Sequence, residues 1–348
     1  MEKVRYFVSY SHWVSLLSDW IQNEIVWAPI STSGMLHYKP VSPENISSII
    51  YEGARAIEPL KWFLFPPIEK MNGRNQRKGK SWIVLAVKAC DLQALRVLDS
   101  AFGGVFADPH YWFHREDTLL VATDCTSPLP TCFCTEVGGN PFPSQLFDLA
   151  LSEIPNGFLV EIGTEKGEKK LSPFRAFLET PSREALHQVE GNRKNVMKIL
   201  RRQNRKFKIH ENLGEILYSQ WNVYLWHEGS LHCVECGMCN HACPTCHCYF
   251  LDEVTREKYI KLRGWDACMY QGYAVMAGGT TPRPYLHQRF RNRYLCKFKY
   301  LKENYGVLGC TGCGRCIEGC QGKIEMRKLL SEFSELLSVH QKVALEKI

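Results

Sequence analysis

The sequence predicts an α/β layered unit over residues 1–180 and a small α+β unit over 221–325. A helical linker over 181–220 joins them, and an amphipathic helix over 326–348 follows. Three observations carry this reading. Short apolar runs alternate with helix-type stripes through the first half, a charged helix-favouring stretch separates the halves, and cysteine density rises sharply from Trp221 onward.

In the first half, Trp82–Val87 is an apolar run of the kind a buried strand shows. Asp91 can cap the helix after it, whose stripe is Leu92, Leu95 and Leu98. Thr118–Ala122 reads as a second buried strand, and Phe158–Ile162 as a third, just after the turn pair Asn156-Gly157. The stretch Ser182–Gln220 includes the basic patch 198–206, read as a solvated helix face or as a contact surface for an acidic partner. Beyond Trp221 periodicity fades, as in a small unit where metal bonds replace much of an apolar core. Met326, Leu329, Leu330, Phe333, Leu336 and Leu337 then mark a helix expected to dock on protein, not on a membrane.

Composition narrows the function. Sixteen cysteines in 348 residues is far more than an ordinary intracellular chain carries. The first twenty residues mix charged with apolar side chains and lack the apolar stretch of a signal peptide, and no run reaches ~18 apolar residues. The expectation is a soluble cytoplasmic protein whose cysteines bind metal and do not form a disulfide framework. The formal charge of +7 counts cysteine as neutral. An oxidised [4Fe–4S] core on four thiolates carries about −2, so two would lower the total to about +3 and four to about −1. The basic excess then reads as counter-charge for metal centres, with no nucleic-acid partner expected.

The spacing of the cysteines specifies the metal. Cys233, Cys236, Cys239 and Cys243, followed by Pro244, match C-x2-C-x2-C-x3-C-P in full. Tight loops of two residues turn three thiolates onto one face of a cubane, and the fourth reaches elsewhere. Zinc sites use separated pairs and fit less well. Cys310, Cys313, Cys316 and Cys320 repeat the spacing, with Gln321 where proline is usual. Gly312, Gly314 and Gly319 are expected to let the backbone approach the sulfides. By the exchange rule of two-cluster ferredoxins, Cys233, Cys236, Cys239 and Cys320 hold one [4Fe–4S] cluster, and Cys310, Cys313, Cys316 and Cys243 the other. The second unit is therefore expected to be ferredoxin-like.

The other eight cysteines form two sets of four. Cys90 and Cys125 lie just past two predicted strands, and Cys132 and Cys134 follow on a Pro-rich loop. Carboxyl ends of strands and helix N-termini suit an anionic group, so a third cluster stands beside inert buried cysteine as a reading. Cys246, Cys248, Cys268 and Cys296 form the last set, a fourth cluster or a zinc site, with His241 and His247 as substitute ligands. Gly79-Lys80-Ser81 is not a phosphate loop, because Arg74 stands where its first glycine belongs. No G-x-G-x-x-G motif and no nucleophile–base pair emerges. The patch Arg289–Tyr294 reads equally as a cluster neighbour or partner surface and as a solvated face.

Longer motifs carry a family resemblance. They include Ala89–Leu92, Thr131–Cys134, Phe147–Leu149, Val160–Gly163 and Cys243–Cys248. Trp265–Cys268, Ala277–Gly279, Arg289–Cys296 and the second cysteine motif complete them. With these, the chain resembles the beta subunit of cytoplasmic [NiFe] sulfhydrogenases and the iron–sulfur electron-transfer subunit of anaerobic sulfite reductases. The resemblance implies an electron-relay subunit between a flavin subunit that handles NAD(P)H and a terminal catalytic subunit, with no bond chemistry on this chain. It also implies ligation by the extra eight cysteines. A different class of function is a catalytic iron–sulfur subunit with a substrate-accessible cluster near Cys90.

Overall fold

The computed structural model describes residues 4–72, 80–255 and 259–345, the last as backbone only from position 337. Arg74 and Gly79 of the rejected phosphate-loop match, and the side chain of Leu337, lie outside the described residues. The N-terminal unit runs β1 (Arg5–Ser9), α1 (Tyr10–Asn23), β2 (Ile25–Thr32), β3 (Met35–Pro40), α2 (Lys61–Leu64) and β4 (Ile68–Lys70). It continues with β5 (Trp82–Val87), α3 (Ala89–Ala101), α4 (Pro109–Asp117), β6 (Thr118–Thr123), β7 (Leu149–Ile154), β8 (Gly157–Ile162) and α5 (Glu165–Leu171).

A sheet of order β1-β8-β7-β6-β5-β2-β3 organises this unit. Its middle strands β2, β5, β6 and β7 are parallel, while β1, β8 and β3 close the edges antiparallel. Helices cover both faces. On one, Trp13, Leu16 and Trp20 of α1 meet Ile83, Leu85, Leu119 and Val121; on the other, Leu92, Leu95 and Leu98 of α3 meet Val84, Leu120 and Ala122. Burial on both faces is why the central strands read as unbroken apolar runs. Near the end of β5 the register slips between Val84 and Val87, and Ala86 takes a φ of +55°. Such a bulge bends the strand and re-aims the chain beyond it. Here it delivers Lys88 and Cys90 to the carboxyl edge of the sheet.

Helix α6 (Arg183–Asn204) starts from Ser182, whose side chain accepts the Ala185 amide, and α7 (Leu213–Ser219) comes next. Beyond it lie α8 (Leu225–Ser230), α9 (Met238–His241), β9 (Tyr249–Thr255), β10 (Tyr259–Trp265), α10 (Leu286–Leu295), α11 (Leu301–Tyr305), α12 (Arg315–Glu318) and α13 (Met326–Leu345). The segment expected as a linker helix does more than span a gap. Val189, Val196 and Leu200 of α6 are buried, Val196 and Leu200 against Cys132 and Cys134 and Val189 against Ile154 and Leu159. Helix α13 docks on its own chain, as expected: Met326, Leu329, Leu330 and Phe333 bury against Trp226, Phe290 and Tyr294. Among the described residues no helix is long and apolar enough to cross a membrane.

The two units interlock. Strand β4 from the first half pairs with β10 from the second, and Phe133 plugs fully into the C-terminal core. Asp91 departs from its expected role. Lys88 is the residue at the helix N-cap, and Asp91 sits within the first turn, buried against Arg315 of the second cysteine motif at 2.8 Å through both terminal guanidinium nitrogens. A first-turn carboxylate looks the same in sequence whether it caps a helix or pairs with a distant arginine.

Candidate iron–sulfur sites

The two cysteine motifs are built alike. Gly237 and Gly314 take left-handed conformations, with φ of +69° and +76°, and each opens a four-residue helical turn, α9 or α12, that carries the third cysteine. Cys233, Cys236, Cys239 and Cys320 line one cavity, together with Cys316 and with Met238, Met269, Phe290 and Met326. The first motif thus meets the last cysteine of the second. Cys310 and Cys316 feel the charge of Cys243 from the first motif, and Cys316 also that of Cys313 and Cys239. Gln321 leaves the turn after Cys320 intact, because the Lys323 amide bonds the Cys320 carbonyl and the Ile324 amide donates to its sulfur at 3.4 Å.

The third set converges as well. Cys90, Cys125, Cys132 and Cys134 line a single cavity with Lys88, Arg55, Leu200 and Cys313. Cys90 lies in the first turn of α3, which follows β5, and Cys125 in the loop after β6; β5 and β6 are adjacent strands. The second motif and this cavity touch directly. The Phe133 amide donates to the Gly312 carbonyl at 2.8 Å, and a Cβ on Gly312, at φ +63°, would lie 2.5 Å from Cys134 backbone. One on Gly314 would lie 2.4 Å from the Thr131 carbonyl. These glycines make room for the cysteine loop of the other unit.

In the fourth set the Asn240 amide donates to Cys268 sulfur at 3.2 Å and to Cys246 sulfur at 3.6 Å. Cys248 is hydrogen-bonded by Cys268, which pulls its thiol down to about 7. Cys296 opens a π-helical turn, Cys296–Tyr300, directly after α10, and interacts with Cys268 and Cys243. His247 is committed to the Thr245 carbonyl at 2.9 Å and His241 to the Tyr270 hydroxyl at 3.0 Å.

Buried positive charge surrounds the cysteines. Lys88 donates to the Tyr51 and Asp124 carbonyls and the Thr123 hydroxyl, Lys61 to the carbonyls of Asn240 and Cys246. Lys297 donates to the Thr245 hydroxyl and, at 3.4 Å, to Cys246 sulfur. Burial pushes Lys61 and Lys88 down to about 8, while Cys243 and Cys246 hold Lys297 above the usual lysine range despite its burial. Arg293 is 4% exposed and reaches the Cys239 carbonyl at 3.4 Å, and Arg55 bonds the Cys313 carbonyl at 2.7 Å.

A buried cation without a counter-ion is costly, so these side chains and thiols fit resident anionic groups. Burial pushes the Cys132 thiol up to about 11 and Cys134 to about 12, protons that a bound metal displaces. Arg55 and Lys61 were not foreseen as site residues, because they carry no local sequence signal. Lys88, Lys297 and Arg315 do carry one, since each stands within two residues of a cysteine. The Arg289–Tyr294 patch is not a solvated face: its three arginines are buried, Arg289 on Glu235, Arg291 over Trp221 and Arg293 among the cysteines.

Comparison with known proteins agrees with this geometry. Residues 232–324 match the 4Fe-4S dicluster domain family, so the region holds two [4Fe–4S] clusters. Over 318 residues the chain is 30% identical to the sulfhydrogenase 2 beta subunit of Pyrococcus furiosus, covering 89% of this chain and 92% of that one. The chain belongs to the sulfhydrogenase beta-subunit family. As a member it is an iron–sulfur electron-transfer subunit of the oxidoreductase class. The match reaches well beyond the dicluster region, so the sheet that carries Cys90 and Cys125 is part of the family's design.

Proposed function

We propose that this chain relays electrons within a cytoplasmic complex, between a flavin subunit that handles NAD(P)H and a terminal catalytic subunit of hydrogenase or sulfite-reductase type. The observation that carries the reading is an unbroken series of cysteine neighbours. It runs from Cys236 at the surface through Cys233, Cys239 and Cys316, which line one cavity with it, to Cys313, which lines another with Cys90 and Cys132. A side branch leaves through Cys243 and Cys246. When bound, each [4Fe–4S] group takes up and releases one electron. The protein's own part is to exclude water, to hold the thiolates and to neutralise them with buried cations.

Cluster one on Cys233, Cys236, Cys239 and Cys320, and cluster two on Cys310, Cys313, Cys316 and Cys243, follow the ferredoxin-like exchange. Cys90, Cys125, Cys132 and Cys134 take a third cluster and Cys246, Cys248, Cys268 and Cys296 a fourth. The cavity of the third set is walled by Pro128, Pro141 and Leu200, which supports a relay site over a substrate site. Near Cys236 the surface is apolar, with Leu231 and Val234 62% and 63% exposed, and this supports a permanent subunit contact at that end. Sixteen cysteines, all without disulfides, support a reducing compartment.

Iron and sulfide analysis of anaerobically purified chain tests the count. About sixteen irons are expected from four clusters and about eight from two. A Cys90→Ser, Cys134→Ser variant should lose about four irons and one EPR signal on reduction. Retention of every iron in that variant would remove the third site.

A further inference from the structure

The outer face of α6 takes no part in holding the cysteines. Residues 191–210 contain eight Lys and Arg and not one Asp or Glu, and the rest of the chain is close to neutral by formal count. Lys194, Lys198, Arg201, Arg202 and Arg205 recur three or four residues apart, so they share one helix face. All five are exposed, and the exposed Lys206 and Lys208 extend the stripe past the helix end. Arg193 alone in this stretch is spent inside the fold, on both oxygens of Asp124 at 2.8 and 3.0 Å. None of the exposed ones forms an ion pair with another described residue. Like charges four apart weaken a helix, and an ordinary solvated face mixes the two signs to avoid this.

The opposite face of the same turns grips the third cysteine set. Leu200 lines its cavity, Gln203 donates to the carbonyls of Leu129 and Cys132 at 3.0 and 2.7 Å, and Asn204 donates to the Cys132 carbonyl at 3.0 Å. One helix, about 10–12 Å across with its side chains, is all that separates the basic stripe from those cysteines. The surface also lacks what single-stranded nucleic acid needs beyond charge, because the only aromatic ring of the stretch other than histidine, Phe207, is buried.

We propose that this face of α6 docks a small acidic electron-carrier protein, which exchanges electrons with the group on Cys90, Cys125, Cys132 and Cys134. It rests on the reading that these four cysteines hold an iron–sulfur group. One electron passes from the reduced carrier's own redox group, which is oxidised, to the group on the four cysteines, which is reduced. No bond forms or breaks and no proton moves. The stripe steers and orients the carrier, and complementary charge is what raises encounter rates at low salt.

The test is stopped-flow reduction of the metal-loaded chain by a purified, pre-reduced acidic bacterial ferredoxin. The variants are Lys198→Glu/Arg201→Glu/Arg202→Glu/Arg205→Glu and the same four changed to Gln, which guards against misfolding by charge reversal. At low salt the charge reversal should slow second-order reduction about 100-fold and the Gln set about tenfold, with the wild-type rate falling steeply as salt rises and the variants' rates depending on it far less. Dithionite should reduce all three proteins alike, and all three should keep their iron. Equal ferredoxin rates with iron retained would overturn the docking site, as would tighter binding of single-stranded RNA than of ferredoxin to the stripe. If the Cys90→Ser, Cys134→Ser variant kept the wild-type iron count, the cluster reading would fail instead, and with it the acceptor.

Discussion

Replacing Asp91 by Asn tests whether one buried ion pair holds the second cysteine motif to the sheet. Arg315 lies between Cys313 and Cys316, and Asp91 directly follows Cys90, so the pair clamps two cysteine sets together. Both side chains are 2% exposed, and both terminal guanidinium nitrogens reach the carboxylate at 2.8 Å. Burial works against the charge of Arg315, yet Asp91 holds its pKa above the usual arginine range. Breaking such a pair by removing one partner costs about 3–5 kcal/mol, because the other charge is left uncompensated. Arg315 keeps its bonds to the carbonyls of Ala56, Ile57 and Glu58 in the variant, so the lower end, about 3 kcal/mol, is expected. With every 1.4 kcal/mol worth a factor of ten, the population of the opened junction rises about 100-fold. The assay is the anaerobic rate at which a chelator bleaches the visible absorbance of the metal-loaded chain, which follows that population when reclosing is fast. Asp91→Leu with Arg315→Met should recover part of the loss, since an apolar pair needs no compensation. Bleaching of Asp91→Asn within twofold of wild type would refute the clamp.

Gly312→Ala should loosen the same junction by another route. Its Cβ would meet Cys134 and Phe133 backbone at 2.5 Å, and its φ of +63° is itself strained for alanine, so a loss of about 1–3 kcal/mol from strain alone is expected in chemical or thermal unfolding. Asn240→Leu should lower the reduction potential of the group on the fourth cysteine set, because amide donation to sulfur favours the more negative, reduced state. A differential of about 1.4 kcal/mol corresponds to about 59 mV for one electron, and EPR-monitored redox titration reads it directly; an unchanged potential would show that the contacts at 3.2 and 3.6 Å do not act on the bound group.

The parts of this fold that were legible in sequence are those whose cause is local. Trp82–Val87 reads as a strand because both faces of the sheet are covered, and α13 reads as a helix because one stripe meets one core. The cysteine motifs are legible for the same reason, since their geometry is set within eleven residues. Strands β9 and β10 escaped notice: β9 is exposed along nearly its whole length, so no alternation marks it. The meeting of Cys313 with Cys90 was also invisible, because spacing says nothing about which loop of another unit a motif will touch. Arg289, Arg291 and Arg293 show a third limit. A basic helix reads as solvated by composition, yet each of these arginines finds a carboxylate, a carbonyl or a ring inside the protein.

The meaning of the basic excess changes once its charges are placed in space. By composition alone, the formal +7 balanced clusters of about −2 each, as if the basic excess and the metal centres belonged together. The structure separates two populations of cations that the sum merges. Arg55, Lys61, Lys88, Arg293, Lys297 and Arg315 are buried beside cysteines, where a fixed positive charge acts on a bound group through a low local dielectric. The cations of α6 are solvent-exposed and screened beyond about 8–10 Å, so they do little for any group behind the helix and act mainly on molecules approaching from outside. Losing an inner cation should therefore move a potential and leave encounter rates alone, while losing outer ones should change rate and salt dependence and leave potentials in place. A chain that moves electrons needs both kinds of charge, and only the first is counter-charge.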